Sequence, residues 1–212
     1  MLQNFQKTVR VKTPKHNVVI NCFYNIISIG SVKVNKRLFE DMCKRGCPNY
    51  NKKYSCPPFS PEFKAFVKNY DALLVLLFAI ELNQFNTFDY NDYHKVRISN
   101  AVMKPKIEKV MRNLESRYDS FFLGTGSCRL CKPCQLKTRK PCKYPDKRRY
   151  SLEALGVDCD FLSKKLFELP LLWYKEKMAP PYTCVICALP LTKLVDKTSV
   201  LRELENQLHH FE

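Results

Sequence analysis

Glycine is scarce in this sequence, 5 residues in 212, which excludes collagen-like repeats and Gly-rich linkers. Acidic side chains are also in the minority. The 20 Asp and Glu face 36 Lys and Arg, leaving a formal charge of +16. Long apolar runs are missing: Ala72 to Ile80 is the longest uninterrupted stretch, well short of the roughly 20 residues of a transmembrane helix. The basic amino-terminal stretch lacks the apolar core of a secretory signal. We therefore expect a soluble, cytoplasmic chain with no membrane partner. Walker loops, dinucleotide fingerprints and nucleophile–base triads are absent, so ordinary hydrolase and NAD-enzyme readings have no footing. The four histidines, His16, His94, His209 and His210, show no ligand spacing to other donors.

What remains is an ordinary globular composition, 45% hydrophobic and 26% charged, of a size that one domain accommodates. The expectation is a single α/β domain over 1–212, with a mixed central sheet flanked by helices and two Cys/Pro-rich metal-binding loops at about 43–60 and 124–150. Residues 17–34 are rich in Val and Ile and read as one or two strands around Gly30. Ser60-Pro61-Glu62 reads as a helix start: an oxygen cap, Pro at the first helical position, then an acid. Phe63, Phe66, Val67 and Tyr70 follow on one face. Ala72–Ile80 is apolar throughout and suits a strand buried on both sides. Ile107, Val110, Met111 and Leu114 have helical spacing, with a kink or boundary expected before Pro105. Residues 120–123 and 182–189 read as strands, and 199–211 as an amphipathic helix through Leu201, Leu204, Leu208 and Phe211.

The informative abundance is cysteine, 11 residues in all. An odd number cannot pair off completely, and clusters inside a cell point to metal rather than disulfides. Cys128, Cys131, Cys134 and Cys142 form a C-x2-C-x2-C-x7-C array. Three thiolates at i, i+3 and i+6 can wrap three corners of a cubane, and a fourth closes it, which is the logic of 4Fe–4S ligation. Structural zinc more often uses two separated C-x2-C knuckles, and zinc on four thiolates is the alternative. Cys43, Cys47 and Cys56 form a C-x3-C-x8-C group. This is not the C-x3-C-x2-C spacing of radical enzymes that use S-adenosylmethionine. Three thiolates suit a second 4Fe–4S cluster with one open iron. Alternatively, Cys22, Cys159, Cys184 or Cys187 completes a closed site, or the three are buried thiols. Cys184 and Cys187 lie three apart in a strand-like run, so alternation points them to opposite faces and makes them poor joint ligands. Pro48, Pro57, Pro58, Pro133 and Pro141 stiffen the cysteine loops.

Between Arg129 and Arg149 nine bases face one acid, Asp146. Lys137, Arg139, Lys140, Lys143, Lys147, Arg148 and Arg149 are the expected anion or partner docking residues. Part of this charge offsets a cluster of about −2. The excess fits an acidic redox partner protein or RNA, although no RNA-binding signature is present. Ser151-Leu-Glu153-Ala-Leu-Gly156 reads as a helical turn capped by Ser151 and ended by Gly156, with Glu153 either capping and paired to the helix dipole or supporting a metal ligand or the chemistry.

Two blocks, CKRGCPNYNKKYSCPP at 43–58 and FFLGTGSCRLCKPCQLKTRKPCKYPDKRRYSLEALGVDC at 121–159, together resemble a cysteine-rich family of predicted metal-binding proteins from anaerobic archaea and bacteria. The matching pattern is C…CP…Y…SCPP upstream, then GxCxxCxxC, PC…P…R and SxEAxG. The resemblance implies metal binding in an anaerobe's cytoplasm and carries no reaction. The reading that follows is an iron–sulfur protein, with one 4Fe–4S cluster and room for a second, relaying electrons to or from a partner. One alternative is an iron–sulfur enzyme whose open iron acts on a sulfur-containing substrate, for example a thiolated nucleotide. Another is a zinc-stapled module that binds RNA.

Overall fold

The computed structural model describes residues 5–211. β1 (Phe5–Lys12) and β2 (Asn17–Ser28) form a hairpin, β3 (Ala72–Glu81) adds to β2, and β4 (Tyr182–Leu191) adds to β3. The spatial order is β1-β2-β3-β4 and every pairing is antiparallel. β3 is buried along its whole length except Glu81, because helices or loops cover both faces of the sheet. That is why its sequence is a continuous apolar run rather than an alternation.

One face carries α3 (Asp92–Arg117) and α5 (Lys197–His209). Met103, Ile107, Val110, Met111 and Leu114 of α3 pack with Val200, Leu204 and Leu208 of α5 over Leu74, Leu76 and Phe78 of β3. The opposite face is covered by α4 (Cys159–Phe167), the short α2 (Phe63–Phe66) and irregular chain, which bury Leu73, Val75 and Leu77. No described helix is long and apolar enough to cross a membrane.

The α/β class, the flanking helices and the strands at β2, β3 and β4 agree with expectation, but the sheet is wholly antiparallel rather than mixed, and several other details differ. Residues 120–123 contribute only a bridge, Leu123 to Ala188, rather than a strand. Pro105 sits inside α3 without ending it. Proline forfeits the bond to the carbonyl four residues back; both Ala101 and Pro105 are exposed, so the missing bond lies on the outer side of the helix. Ser60 does not cap α2. Glu62 does, accepting from the Ala65 N–H at 3.0 Å, while Ser60 donates to the Ala154 carbonyl at 2.6 Å. A buried tertiary hydrogen bond outcompetes the local cap. The 43–60 segment is not wholly a loop either, since Cys43 lies on α1 (Lys36–Gly46).

The Ser151–Gly156 turn forms as read. Ser151 Oγ accepts from the Ala154 N–H at 3.2 Å, and Gly156 ends a 3-10 turn at φ +92°. This turn docks on the start of α1. Asn35 N–H donates to the Gly156 carbonyl at 2.7 Å, and Lys36 Nζ donates to Ser60 Oγ at 2.7 Å and the Ala154 carbonyl at 2.6 Å. A Cβ at position 156 would stand 2.6 Å from Lys36 Cα. Backbone cannot yield as a flexible side-chain tip can, so Gly156→Ala combines an unfavourable φ with a steric clash. The expected cost is about 2–4 kcal/mol, read as a lowered midpoint in urea unfolding; a midpoint within error of the parent would refute the close approach.

Candidate metal centre

α1 delivers Cys43 on its last turn, and the Cys47 N–H donates to the Cys43 carbonyl at 2.9 Å to end the helix. The chain then winds through tight turns to Cys56, which is buried, while Cys43 and Cys47 are half-buried. Burial pushes the Cys43 thiol up, and Cys47, Cys56 and Glu153 push it further. Burial also raises the Cys56 thiol, reinforced by Cys47 and Cys128. Cys47 and Cys56 thus act electrostatically on Cys43, and Cys47 and Cys128 on Cys56. Deprotonation of Cys43 and of Cys56 is disfavoured in this way until a cation is beside them.

The downstream array surrounds one small cavity walled by all four of Cys128, Cys131, Cys134 and Cys142, with Lys53 and Arg148. A 3-10 turn at Gln135–Thr138 reverses the chain between Cys134 and Cys142, with Arg139 left-handed at φ +54°. Among the described residues no three Cys, His, Asp or Glu converge on a point as ligands of a single ion; the thiols surround a shared space.

Three consecutive residues of the upstream block hold the downstream block in place. Lys53 Nζ donates to Ser127 Oγ at 2.9 Å and to the Cys128 carbonyl at 3.0 Å. Ser55, itself buried, accepts from the Cys128 N–H at 2.9 Å and stands 3.8 Å from Cys56 Sγ. Tyr54 donates to the Lys140 carbonyl at 2.8 Å. Arg148 lies over the rings of Tyr54 and Tyr150, 5.9 Å and 5.2 Å from their centroids. Sequence reasoning passed over Lys53 and Tyr54, which look like ordinary loop polars, and named Ser55 only within the SCPP pattern, with no role.

Arg148 supplies the test of fit for a thiolate-ligated anionic group. Its Nε is buried without a hydrogen-bond acceptor, and it lines the four-cysteine cavity with Lys53. A buried donor with no acceptor is costly, and thiolate or sulfide sulfur at this place would accept from it. The donor set and the two cations fit a cysteinyl metal group of net negative charge.

The basic residues divide. Lys137, Arg139, Lys140, Lys143 and Lys147 are exposed around the array, whereas Arg148 turns inward. Arg149 pairs with the buried Glu115, which also accepts from the Phe122 N–H at 3.2 Å. Arg149 also donates to the Asp146 carbonyl at 2.6 Å. It is thus a structural tie as well as an expected docking residue. Glu153 does more than pair with a helix dipole: it acts on Cys43, on Lys104 and on the fully buried Cys159. Of the candidate fourth ligands, Cys22 and Cys187 are buried in the core under α3 and α5, while Cys159 and Cys184 belong to the opposite face.

Fold and site together define a class: an α/β protein whose sheet supports a thiol-walled, cation-flanked cavity between two cysteine blocks. The chain belongs to the family described as predicted metal-binding protein (DUF2284), whose model matches residues 25–187. Comparisons with curated proteins and with solved structures returned no match.

Replacing Ser55 by Ala leaves the Cys128 N–H without its acceptor and is expected to cost about 1–3 kcal/mol and to lower metal retention. Lys53→Met should act in the same direction. Unfolding curves and metal content measured on both variants check this, and unaltered values would show that the two blocks assemble without the stitch.

Proposed function

We propose that Cys128, Cys131, Cys134 and Cys142 hold a 4Fe–4S cluster and that the protein relays electrons to or from an acidic partner. The observation that carries this reading is the orphaned Arg148 Nε in a cavity walled by those four cysteines. The C-x2-C-x2-C spacing adds to it, because three thiolates three residues apart suit the corners of a cubane. When bound, such a cluster supplies a one-electron carrier. The chain's own part is electrostatic and positional. Lys53 and Arg148 offset the negative charge, and Lys137, Arg139, Lys140 and Lys143 form an exposed ring on which an acidic redox protein docks.

A second reading is favoured by the cavity that Glu153 and Lys104 line beside the cysteine blocks. In this reading Cys43, Cys47 and Cys56, which do not themselves line that cavity, hold a cluster with one open iron; Glu153, which acts on Cys43, links the two, and the protein is an iron–sulfur enzyme acting on a sulfur-containing substrate. Zinc on the same thiolates, with RNA on the basic loop, is the outcome that redox-silent metal would indicate.

Protein purified without oxygen is expected to contain about four iron and four acid-labile sulfide per chain for one cluster, or about eight of each for two. Cys131→Ser should remove the first set, and Cys56→Ser only the second. Lys137→Glu with Lys140→Glu should slow reduction by an acidic electron carrier at low salt, with the gap narrowing at high salt. Stoichiometric zinc without sulfide would end the redox reading.

A further inference from the structure

Two cavities meet at the 124–126 loop, and neither is accounted for by thiolate ligation. One, of about 290 Å³, runs between α3 and the basic loop and is lined by Cys128, Lys104, Arg129 and Lys147. The other, of about 300 Å³, lies at the outer edge of β4 and is lined by Trp173, Tyr174, Thr183, Glu153 and Lys104. Lys104, Thr125 and Gly126 belong to both. Each volume is at the lower bound of small-molecule sites, about 300–1,000 Å³, and the two together fall well within it.

The halves differ in chemistry. In the first, Arg112 pairs with Glu108 at 2.8 Å and Arg149 with Glu115. Lys104, Arg129 and Lys147 have no ion pair or hydrogen bond among the described residues. Burial and the nearby Arg129 lower the Lys104 pKa against the opposing pull of Glu153. Gly126 sits at φ +76° with open space beside it, so its backbone is accessible to a ligand. This half is built for a compact anion.

The second half presents flat rings and an unused hydrogen-bonding edge. Trp173 is 69% exposed at the mouth, although its loop is tied down: Tyr182 donates to the Pro170 carbonyl at 2.6 Å, and Leu171 N–H donates to Asp160 at 2.9 Å. Thr183 is only 4% exposed, yet its hydroxyl has no partner. Leu123 exchanges both backbone hydrogen bonds with Ala188 at the free edge of β4. Strand parity therefore turns the N–H and C=O of Ile186 and Cys184 to that same edge, where no backbone partner meets them among the described residues. Stacking rings, a buried hydroxyl and alternating amide donors and acceptors recognise a planar heterocycle with mixed hydrogen-bonding groups.

We propose that the joined cavities are one ligand cleft that takes a nucleotide unit, its base at the β4 edge against Trp173 and Tyr174 and its phosphate on Lys104, Arg129 and Lys147 beside Cys128. This gives the substrate class for the enzyme reading above, but binding itself requires no metal chemistry. The unit arrives either as a free mononucleotide or within single-stranded RNA, and the cleft chemistry is common to both.

Trp173 is the sole tryptophan, so its emission reports on this cleft alone. Protein purified without oxygen is titrated with AMP, GMP, CMP and UMP in turn, and with adenosine, inorganic phosphate and an oligoadenylate. Calorimetry is run alongside, and iron is assayed on the same sample. At least one mononucleotide or the oligonucleotide is expected to change Trp173 emission saturably, at least tenfold more tightly than adenosine or phosphate. Lys104→Met should weaken that binding at least tenfold while leaving adenosine unchanged, and Thr183→Val should weaken both. A response to mononucleotides assigns a free ligand; a response to the oligonucleotide alone assigns RNA. No emission change and no heat with any nucleotide would overturn the proposal, as would phosphate or adenosine binding as tightly as the nucleotide. Iron content reports separately on the cluster, so either reading can fail without the other.

Discussion

The hydrogen bond from the Cys128 N–H to Ser55, reinforced by Lys53, is the contact on which the site depends. It joins residues 73 positions apart in the chain, and without it the two cysteine groups would be separate loops on one face of a sheet. Seven thiols in adjoining groups repel as they deprotonate, so they stay together only if backbone and cations hold them. The fold does this from both ends. Lys36 and Ser60 tie the upstream block to the Ala154 carbonyl, and Lys53, Tyr54 and Ser55 tie the same block to the cysteine array. Residues in the family's pattern that are not donors, such as Gly156, have their reason here: Gly156 lets the turn lie against the backbone of Lys36.

The sheet distributes work unevenly. Under α3 and α5 lies an ordinary helix-on-sheet core, which sets the platform. The other face is covered largely by irregular chain, where loops can carry donors that helices and strands could not bring together. The two regimes meet at the outer edge of β4. Leu123 closes half of that edge through Ala188, and the other half opens into a cavity. An open strand edge is a hazard for aggregation; here α3 on one side and the Trp173 loop on the other restrict access to small or narrow groups.

Legibility in the sequence followed the strength of local signals. β3 was readable because a strand covered on both faces must be apolar throughout. The core stretch of α3 and α5 were readable from helical spacing, and the Ser151–Gly156 turn from its cap and glycine. α1 was not read, because its apolar stripe of Leu38, Phe39, Met42 and Cys43 is short and none of its residues is buried. β1 was overlooked because Lys7 interrupts its inner face, which is otherwise Phe5, Val9 and Val11. The start of α2 was misplaced because Ser60 found a better partner in the tertiary structure than in its own helix. At the site, cysteine spacing picked out the thiols that gather. The stitching residues and the cleft were invisible, since a Lys, a Ser or a lone Trp in a loop carries no periodicity, and its meaning comes only from what folds against it.

The strand order has a consequence for the timing of assembly. The four-cysteine array lies in the chain between β3 and β4, and Leu123, just ahead of it, is anchored on β4. During synthesis the thiols therefore emerge before the strand that fixes their frame, and Cys184 and Cys187 emerge with that strand. For that interval the basic, cysteine-rich stretch lacks the Ala188 partner on which Leu123 is anchored. Site formation is thus tied to completion of the sheet, so a metal delivered after β4 has docked meets a formed cavity, whereas one delivered earlier meets loose chain.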